Sequence, residues 1–300
     1  MTKISLGFAL PQFGPLGRDG DVARFAAEAE RLGARSLWVG DRLVAAVDPV
    51  VGYAGRATIP AEFRTSLDPF TVLTVAATAT EHARLGTSVL NLPWYSPVVL
   101  ARTLTTLDVV SGGRLVPGFG IGWSPDEYVA AGVPWRGRGA RLEEALDALE
   151  AWWTRNPVAY RGKVVTVPAS HVDLRPVQRP RPPIYLGGRS EAALRRIGRR
   201  ADGWLPGGIV PGWLSVDALR AQREVIRAAA AAAGRGDSDM PATLRVNLAA
   251  KVTADQAADA LLEVAEGTGI TDIFADLMYV ATDVDGALGY AARLLDRLGG

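Results

Sequence analysis

Short apolar runs alternate along the chain with longer segments whose apolar positions recur at helical spacing. Ile4–Leu10 reads as a strand. It leads to a helix from about Asp21 to Leu32, with Val22, Phe25, Ala26, Ala29 and Leu32 on one face and Gly33 as its stop. Ser36–Val39 and the helix Pro69–Thr80 repeat the unit, and Leu85–Leu92 and Arg114–Ile121 form the third and fourth strands. The helix between those two is bounded by Ser96 as a possible cap, Pro97 in its first turn and Gly112–Gly113 at its end. A long helix over Ala140–Trp153 carries Leu142, Leu146, Leu149 and Trp153 in register. Pro183–Leu186 is the fifth strand, and Ser190 caps a helix through Arg200. Gly203–Leu205 is a short sixth strand before the helix Val216–Ala233. Leu244–Val252 is the seventh, followed by the capping-box start Thr253-Ala-Asp-Gln256. Asp272–Leu277 and the helix Val284–Leu298 close the series. Strand-then-helix units of this kind, without a break in composition, predict a single α/β domain over residues 1–300, a (β/α)8 TIM barrel. An open doubly wound sheet is the competing architecture.

Two connections exceed ordinary loop lengths. Arg42–Leu67 follows the second strand and carries Pro49, Gly52, Gly55 and Pro60 with Tyr53 and Phe63, which suits an ordered lid. Asn156–Pro182 precedes the fifth strand, with Tyr160-Arg-Gly-Lys163 as the tip of a small hairpin, and suits a packing or dimer element.

Composition narrows the chemistry more than the fold. A chain of 300 residues that is 48% hydrophobic can bury a large core. Thirty-three basic against 32 acidic residues leave a formal charge of +1, so no overall field recruits nucleic acid or an anionic membrane. The basic stretches Arg136–Arg141 and Arg195–Arg200 have Glu143, Glu144 and Asp202 beside them and read as solvated faces. The absence of cysteine excludes disulfides, thiolate metal sites and thiol nucleophiles. The amino-terminal apolar run is too short for a signal core, and no segment approaches the roughly 18 apolar residues of a membrane span. A cytoplasmic protein is expected.

Small residues close the third and fourth strands, clearing their carboxyl ends for something flat or phosphorylated, or only for tight turns. Gly118-Phe-Gly-Ile-Gly122 has GxGxG rather than GxGxxG spacing, and Asp126 and Glu127 in the following helical turn would oppose a diphosphate. A dinucleotide fingerprint is rejected. Gly187-Gly-Arg-Ser190, directly after the fifth strand, is a better anion site: backbone N–H groups at a helix start beside the cationic Arg189, although an ordinary capped turn reads the same way. His82 and His171, the only histidines, form no metal-ligand pattern, and GxSxG is absent. No metal is expected. Asp41 at the end of the second strand, Glu127 beyond the fourth and Asp276 on the eighth are carboxylates that on a barrel can form a glycosidase pair; equally, Asp41 can orient a turn and Glu127 can pair with Arg138 or Arg141. Trp94, Trp123 and Trp204 follow the third, fourth and sixth strands and suggest an apolar mouth for an aromatic group.

The ordered motifs Leu37-Trp-Val-Gly-Asp-Arg42, Arg84-Leu-Gly-Thr-Ser-Val-Leu90, Leu107-Asp-Val-Val-Ser-Gly-Gly-Arg-Leu115, Gly118-Phe-Gly-Ile-Gly-Trp123, Ile184-Tyr-Leu-Gly-Gly188 and Asp202-Gly-Trp-Leu-Pro206 resemble the bacterial luciferase-like monooxygenase superfamily, most closely its actinobacterial branch using the deazaflavin coenzyme F420. The resemblance runs from the first strand to about Pro206. It implies a barrel that holds the coenzyme ring at the strand carboxyl ends and passes hydride to or from it. By position, Asp41, Thr87, Ser88, Val89, Gly122 and Trp123 would surround the ring or its polyol, and Gly187, Gly188 and Arg189 would hold the phosphate. It further implies a cis Ser88–Val89 peptide and a homodimer. Two positions depart from the family: Arg42 stands where many relatives have His, and Trp123 where the sugar-phosphate dehydrogenases have a catalytic Glu. Asp41 and Arg42 are the remaining candidates for catalysis, with Asp41 holding Arg42, and Arg42 either polarising a substrate oxygen or starting the lid. Tyr53, Trp94 and Trp204 are the expected substrate-pocket residues.

The leading expectation is an F420-dependent oxidoreductase acting on a small, fairly apolar organic substrate. The alternatives are an FMN-dependent monooxygenase using reduced flavin and oxygen, with a flavin or F420 reductase as partner supplying reduced coenzyme, and a non-catalytic coenzyme-binding protein.

Overall fold

The computed structural model describes residues 2–236 and 240–299. Parallel strands follow one another round a barrel: β1 (Ser5–Ala9), β2 (Ser36–Val39), β3 (Arg84–Thr87, resuming at Leu90–Asn91) and β4 (Leu115–Val116, resuming at Gly118–Gly120). β5 (Tyr185–Gly187), β6 (Gly203–Leu205, resuming at Gly207–Val210), β7 (Thr243–Leu248) and β8 (Asp272–Asp276) complete it. The amino-terminal segments of β3 and β4 pair in one sheet with β2, β1, β8, β7 and the second segment of β6. Their carboxyl-terminal segments pair in another with β5 and the first segment of β6. The interrupted strands therefore carry the ladder across both seams and close the barrel. Between the segments of β3 the Ser88–Val89 peptide is cis, as the resemblance implies.

The helices α1 (Gly14–Asp19), α2 (Val22–Leu32), α3 (Pro69–Ala79), α4 (Pro97–Val110), α5 (Pro125–Ala130), α6 (Arg138–Thr154), α7 (Glu191–Arg200), α8 (Val216–Ala232), α9 (Ala254–Thr268) and α10 (Val284–Arg297) cover the outside. Their ends follow local chemistry. Gly33 stops α2 at φ 113°, Asp68 and Ser190 accept N–H bonds as caps of α3 and α7, and Thr253 and Gln256 complete the expected capping box. Ser96 occupies the cap position of α4 but its side chain makes no capping bond. The long insertion before β5 contains the expected hairpin, Val158–Arg161 against Thr166–Ser170.

Inside the barrel Trp38 stacks on Phe274 at 4.9 Å, packed with Val116, Tyr185 and Leu205. Glycines make the room. A Cβ on Gly86 would lie 2.2 Å from the Trp38 ring, and one on Gly203 would lie 2.3 Å from Tyr185. This aromatic plug forms a dry floor beneath the strand carboxyl ends. Side chains alternate across a strand, so with Leu205 inside, Trp204 faces outward and is buried among the core residues beneath the helices. That corrects its expected place at the mouth. The short helix α1 and the second segment of β6 carry too little periodic pattern to be read from sequence.

Candidate active site

Above the plug the interior positions turn polar. Asp276 on β8 and Asn247 opposite it on β7 stand one strand repeat above Phe274, and Arg245, level with Phe274, reaches its guanidinium to them. The Arg245 guanidinium donates to Asp276 at 2.6 Å, to the Ser88 carbonyl oxygen at 2.8 Å and, through Nε, to Asn247 Oδ1 at 3.1 Å. Burial opposes its charge, but Asp276 more than offsets this and holds the Arg245 pKa above its ordinary value. The carboxylate that sequence offered to a glycosidase pair is thus committed to an arginine.

A cleft of about 530 Å³ opens over this layer, between the ends of β2, β3 and β6 and the lid. Val89 forms part of its wall, and the neighbouring glycines explain themselves through it. A Cβ on Gly120 or Gly187 would come within 2.6 or 2.9 Å of the Val89 side chain. The glycines at these strand ends therefore serve close packing that seats Val89. Thr87 is fully buried and exchanges two 2.8 Å hydrogen bonds with the Gly118 backbone.

Both ends of the lid meet at Gln12. Its amide donates to Gly40 O at 3.0 Å and to Leu67 O at 2.9 Å, and accepts from Gly40 N–H at 2.8 Å. The lid is also tied to the first turn of α5, whose end favours negative charge. Glu127 accepts the Leu43 N–H at 2.9 Å and Asp126 accepts the Val50 N–H at 3.1 Å. Arg42 completes the latch. Its guanidinium lies 4.7 Å from the Phe63 and Trp123 ring centres, pairs with Glu127 at 3.3 Å and donates to Val44 O at 3.3 Å. Burial pulls the Arg42 pKa down and the Glu127 pKa up, each charge opposing the shift of the other. Arg42 Nε has no hydrogen-bond partner among the described residues. Glu127 thus pairs with Arg42, neither with Arg138 nor with Arg141, and Arg42 is held by Glu127 instead of Asp41.

Asp41 instead accepts the Asn91 N–H at 2.8 Å. Burial pushes its carboxyl up to about 6, against the hydrogen bonds from Asn91 and Tyr95. A carboxyl raised in this way binds its proton more tightly folded than unfolded. Its stabilisation is complete below its unfolded pKa, near 3.8, and is lost as pH rises through about 6. A rise of this size corresponds to about 3 kcal/mol. Asp41→Asn, which keeps an acceptor for Asn91, should gain stability relative to wild type as pH rises from about 4 to about 7, by up to about 3 kcal/mol. Urea midpoints of the two proteins at several pH values measure this; a separation independent of pH would contradict the burial of an ionising Asp41.

Of the residues singled out from sequence, the cleft brings together Asp41, Arg42, Tyr53, Ser88, Val89, Trp123 and Arg189. Arg189 lies at the β5 end with its guanidinium 4.7 Å from the Trp213 ring centre. Gly187 stands behind Val89, and Gly188, at φ 152°, packs on α7, where a Cβ would be 2.5 Å from that of Ala193. Gly122 turns at φ 67° beside Asn91, and Trp94 sets its edge on Tyr128 at 5.8 Å. Neither Trp94 nor Trp204 lines the cleft. Sequence reasoning missed Gln12, Arg245 and Asn247. The signal for the last two was the alternation of polar Thr243, Arg245 and Asn247 with apolar Leu244, Val246 and Leu248.

A model of the luciferase-like monooxygenase family matches residues 8–292. The chain belongs to that family. Sequence relatives include an FMNH2-dependent dimethylsulfone monooxygenase of Pseudomonas putida, 35% identical over 52% of this chain and 42% of the relative. An F420-dependent glucose-6-phosphate dehydrogenase of Amycolatopsis mediterranei is 28% identical over 68% and 57%. A phthiodiolone/phenolphthiodiolone dimycocerosates ketoreductase of Mycobacterium bovis is 33% identical over 73% and 58%. The chain thus spans about half the length of these luciferase-like relatives. Among solved structures, the monooxygenase RslO1 from Streptomyces bottropensis superposes with a TM-score of 0.80 at 20% identity, over 97% of both chains. The barrel is therefore the luciferase-like one. No helix among the described residues is long and apolar enough to cross a membrane.

Proposed function

We propose that this protein is an oxidoreductase that holds coenzyme F420 in the cleft and exchanges a hydride with a small, fairly apolar organic substrate. The construction of the cleft carries the reading: Val89 on its glycine seat with the rings of Phe13, Phe63 and Trp123, and the exposed Arg189 at the β5 end. Flat apolar walls with a cation at one end suit a tricyclic ring that carries an anionic tail.

Bound there, the coenzyme supplies or accepts the hydride. Val89 would support the ring from the barrel side, Asp41 and Ser88 would border its polar edge, and Arg189 would meet the phosphate and carboxylates of its tail. The lid and the aromatic plug would keep water from the reacting atoms. Arg42 remains protonated and cannot cycle a proton, so its part is to anchor the lid and orient an oxygen. Similarity to the F420-dependent dehydrogenase and to the ketoreductase supports hydride transfer. Similarity to the FMNH2-dependent enzyme supports the second reading, a monooxygenase using reduced FMN and oxygen. A homodimer and a reductase that regenerates the coenzyme belong to either reading.

Mixing the purified protein anaerobically with reduced F420 and ketones, and in air with reduced FMN, separates the two. Reoxidation of F420 by a ketone is the expected result. Oxygen consumption with FMN and none of that reoxidation would replace the reading by the second, and binding without turnover would make this a coenzyme-binding protein. Arg189→Ala should weaken F420 binding about tenfold, the loss of one exposed charge-assisted contact of about 1.4 kcal/mol. Unchanged affinity in fluorescence titration would place the tail elsewhere. A Gly188 substitution is a poorer probe, because α7 would have to shift.

A further inference from the structure

Asp276 as a carboxylate only accepts and Arg245 only donates, so the hydrogen-bond chain that begins at them has a fixed direction. Arg245 Nε donates to Asn247 Oδ1, which turns Asn247 Nδ2 toward the Tyr53 hydroxyl oxygen at 3.3 Å. The amide N–H takes a lone pair of the phenol. The phenolic hydrogen must point elsewhere, and no protein group among the described residues accepts it. Tyr53 lines the cleft.

The lid holds this ring in place. Gly52 permits a turn so tight that a Cβ there would lie 1.9 Å from Arg56 O, and the Tyr53 N–H is bonded to Thr58 O at 3.1 Å. The ring meets Phe63 edge-on at 4.9 Å and lies 5.5 Å from Trp123. Tyr53 is thus a placed hydroxyl with its hydrogen offered to the cleft.

We infer that Tyr53 is the proton donor of the reaction and that the substrate is a carbonyl compound reduced to an alcohol. This rests on the hydride-transfer reading above. Hydride, with its electron pair, passes from the reduced deazaflavin to the carbonyl carbon. The π pair of the C=O bond moves to oxygen, which takes the proton from Tyr53. The coenzyme is oxidised, the carbonyl is reduced, and the phenolate regains its proton from solvent. The Asn247 N–H and the Arg245 cation behind it favour the phenolate during that interval. Arg42 cannot give up a proton readily, and the Asp41 carboxyl is engaged by Asn91 and Tyr95.

The test uses Tyr53→Phe, which keeps the ring and its packing, and Asn247→Asp, which keeps the size but puts an acceptor opposite the phenol and draws its hydrogen inward. Reduced F420 is mixed with acetone, 2-butanone, cyclohexanone and acetophenone. For a ketone that wild type reduces, both variants should lose kcat by about 10²–10⁴-fold, with F420 affinity kept within about twofold. Benzamide, an unreactive carbonyl, should bind the oxidised complex about tenfold more weakly in Tyr53→Phe, the loss of one hydrogen bond. Ketone reduction by Tyr53→Phe at the wild-type kcat, or unchanged benzamide affinity, overturns the inference and leaves the hydride reading standing. Failure of wild type to reduce any of the four ketones overturns both.

Discussion

Arg245→Met is expected to lower stability by about 3–5 kcal/mol, because it strands the Asp276 carboxylate in the barrel without its cation. Asp276 is 2% exposed, and Arg245 is also the donor to the Ser88 carbonyl and to Asn247. The same change should therefore loosen the cleft beyond its effect on folding. Adding Asp276→Leu to Arg245→Met removes the stranded charge and should recover much of the loss, since a buried pair replaced by apolar groups is often near neutral. F420 affinity should stay low in the double variant, because the donor to Ser88 is still missing. Urea denaturation and coenzyme titration of the three proteins measure both parts. A single variant as stable as wild type would show that the pair is open to water.

Arg42→Met should release the lid. Glu127, with a side-chain exposure of 2%, loses its partner, and the Phe63 and Trp123 rings lose the cation between them. The expected cost is again about 3–5 kcal/mol, reduced when Glu127→Gln is added. Unlike the Arg245 change, this one acts on the segment that closes the cleft. Limited proteolysis should cut between residues 43 and 66, and substrate KM should rise roughly tenfold or more, with F420 affinity close to wild type. A fall in coenzyme affinity equal to the rise in KM would move Arg42 from the lid to the ring.

The barrel was legible because strand and helix periods alternate with clean stops: Gly33, Ser190 and Thr253 end or cap the elements where the sequence marks them. Facing was harder. Trp204 and Leu205 are adjacent and equally apolar, so nothing local says which one enters the barrel; the Tyr185 ring, which needs Gly203 beside it, decides the register. Gly120 of β4 and Gly187 of β5 were legible as sites of close approach, but the approaching group is Val89. Ion pairs were least legible. Arg42–Glu127 and Arg245–Asp276 span 85 and 31 positions, and only the closed barrel brings them together. Asp41 and Arg42 were visible as a pair in sequence, yet the chain turns between them and sends one to Asn91 and the other to Glu127.

The central claim is that the cleft above Ser88 and Val89 holds a deazaflavin. Equilibrium titration of the protein with oxidised F420, read by coenzyme fluorescence and repeated with FMN and with Val89→Arg, tests it most directly. Saturable F420 binding, about tenfold or more tighter than FMN and abolished in a folded Val89→Arg protein, is the expected result. Equal binding to wild type and Val89→Arg, or no binding of either coenzyme, would contradict it.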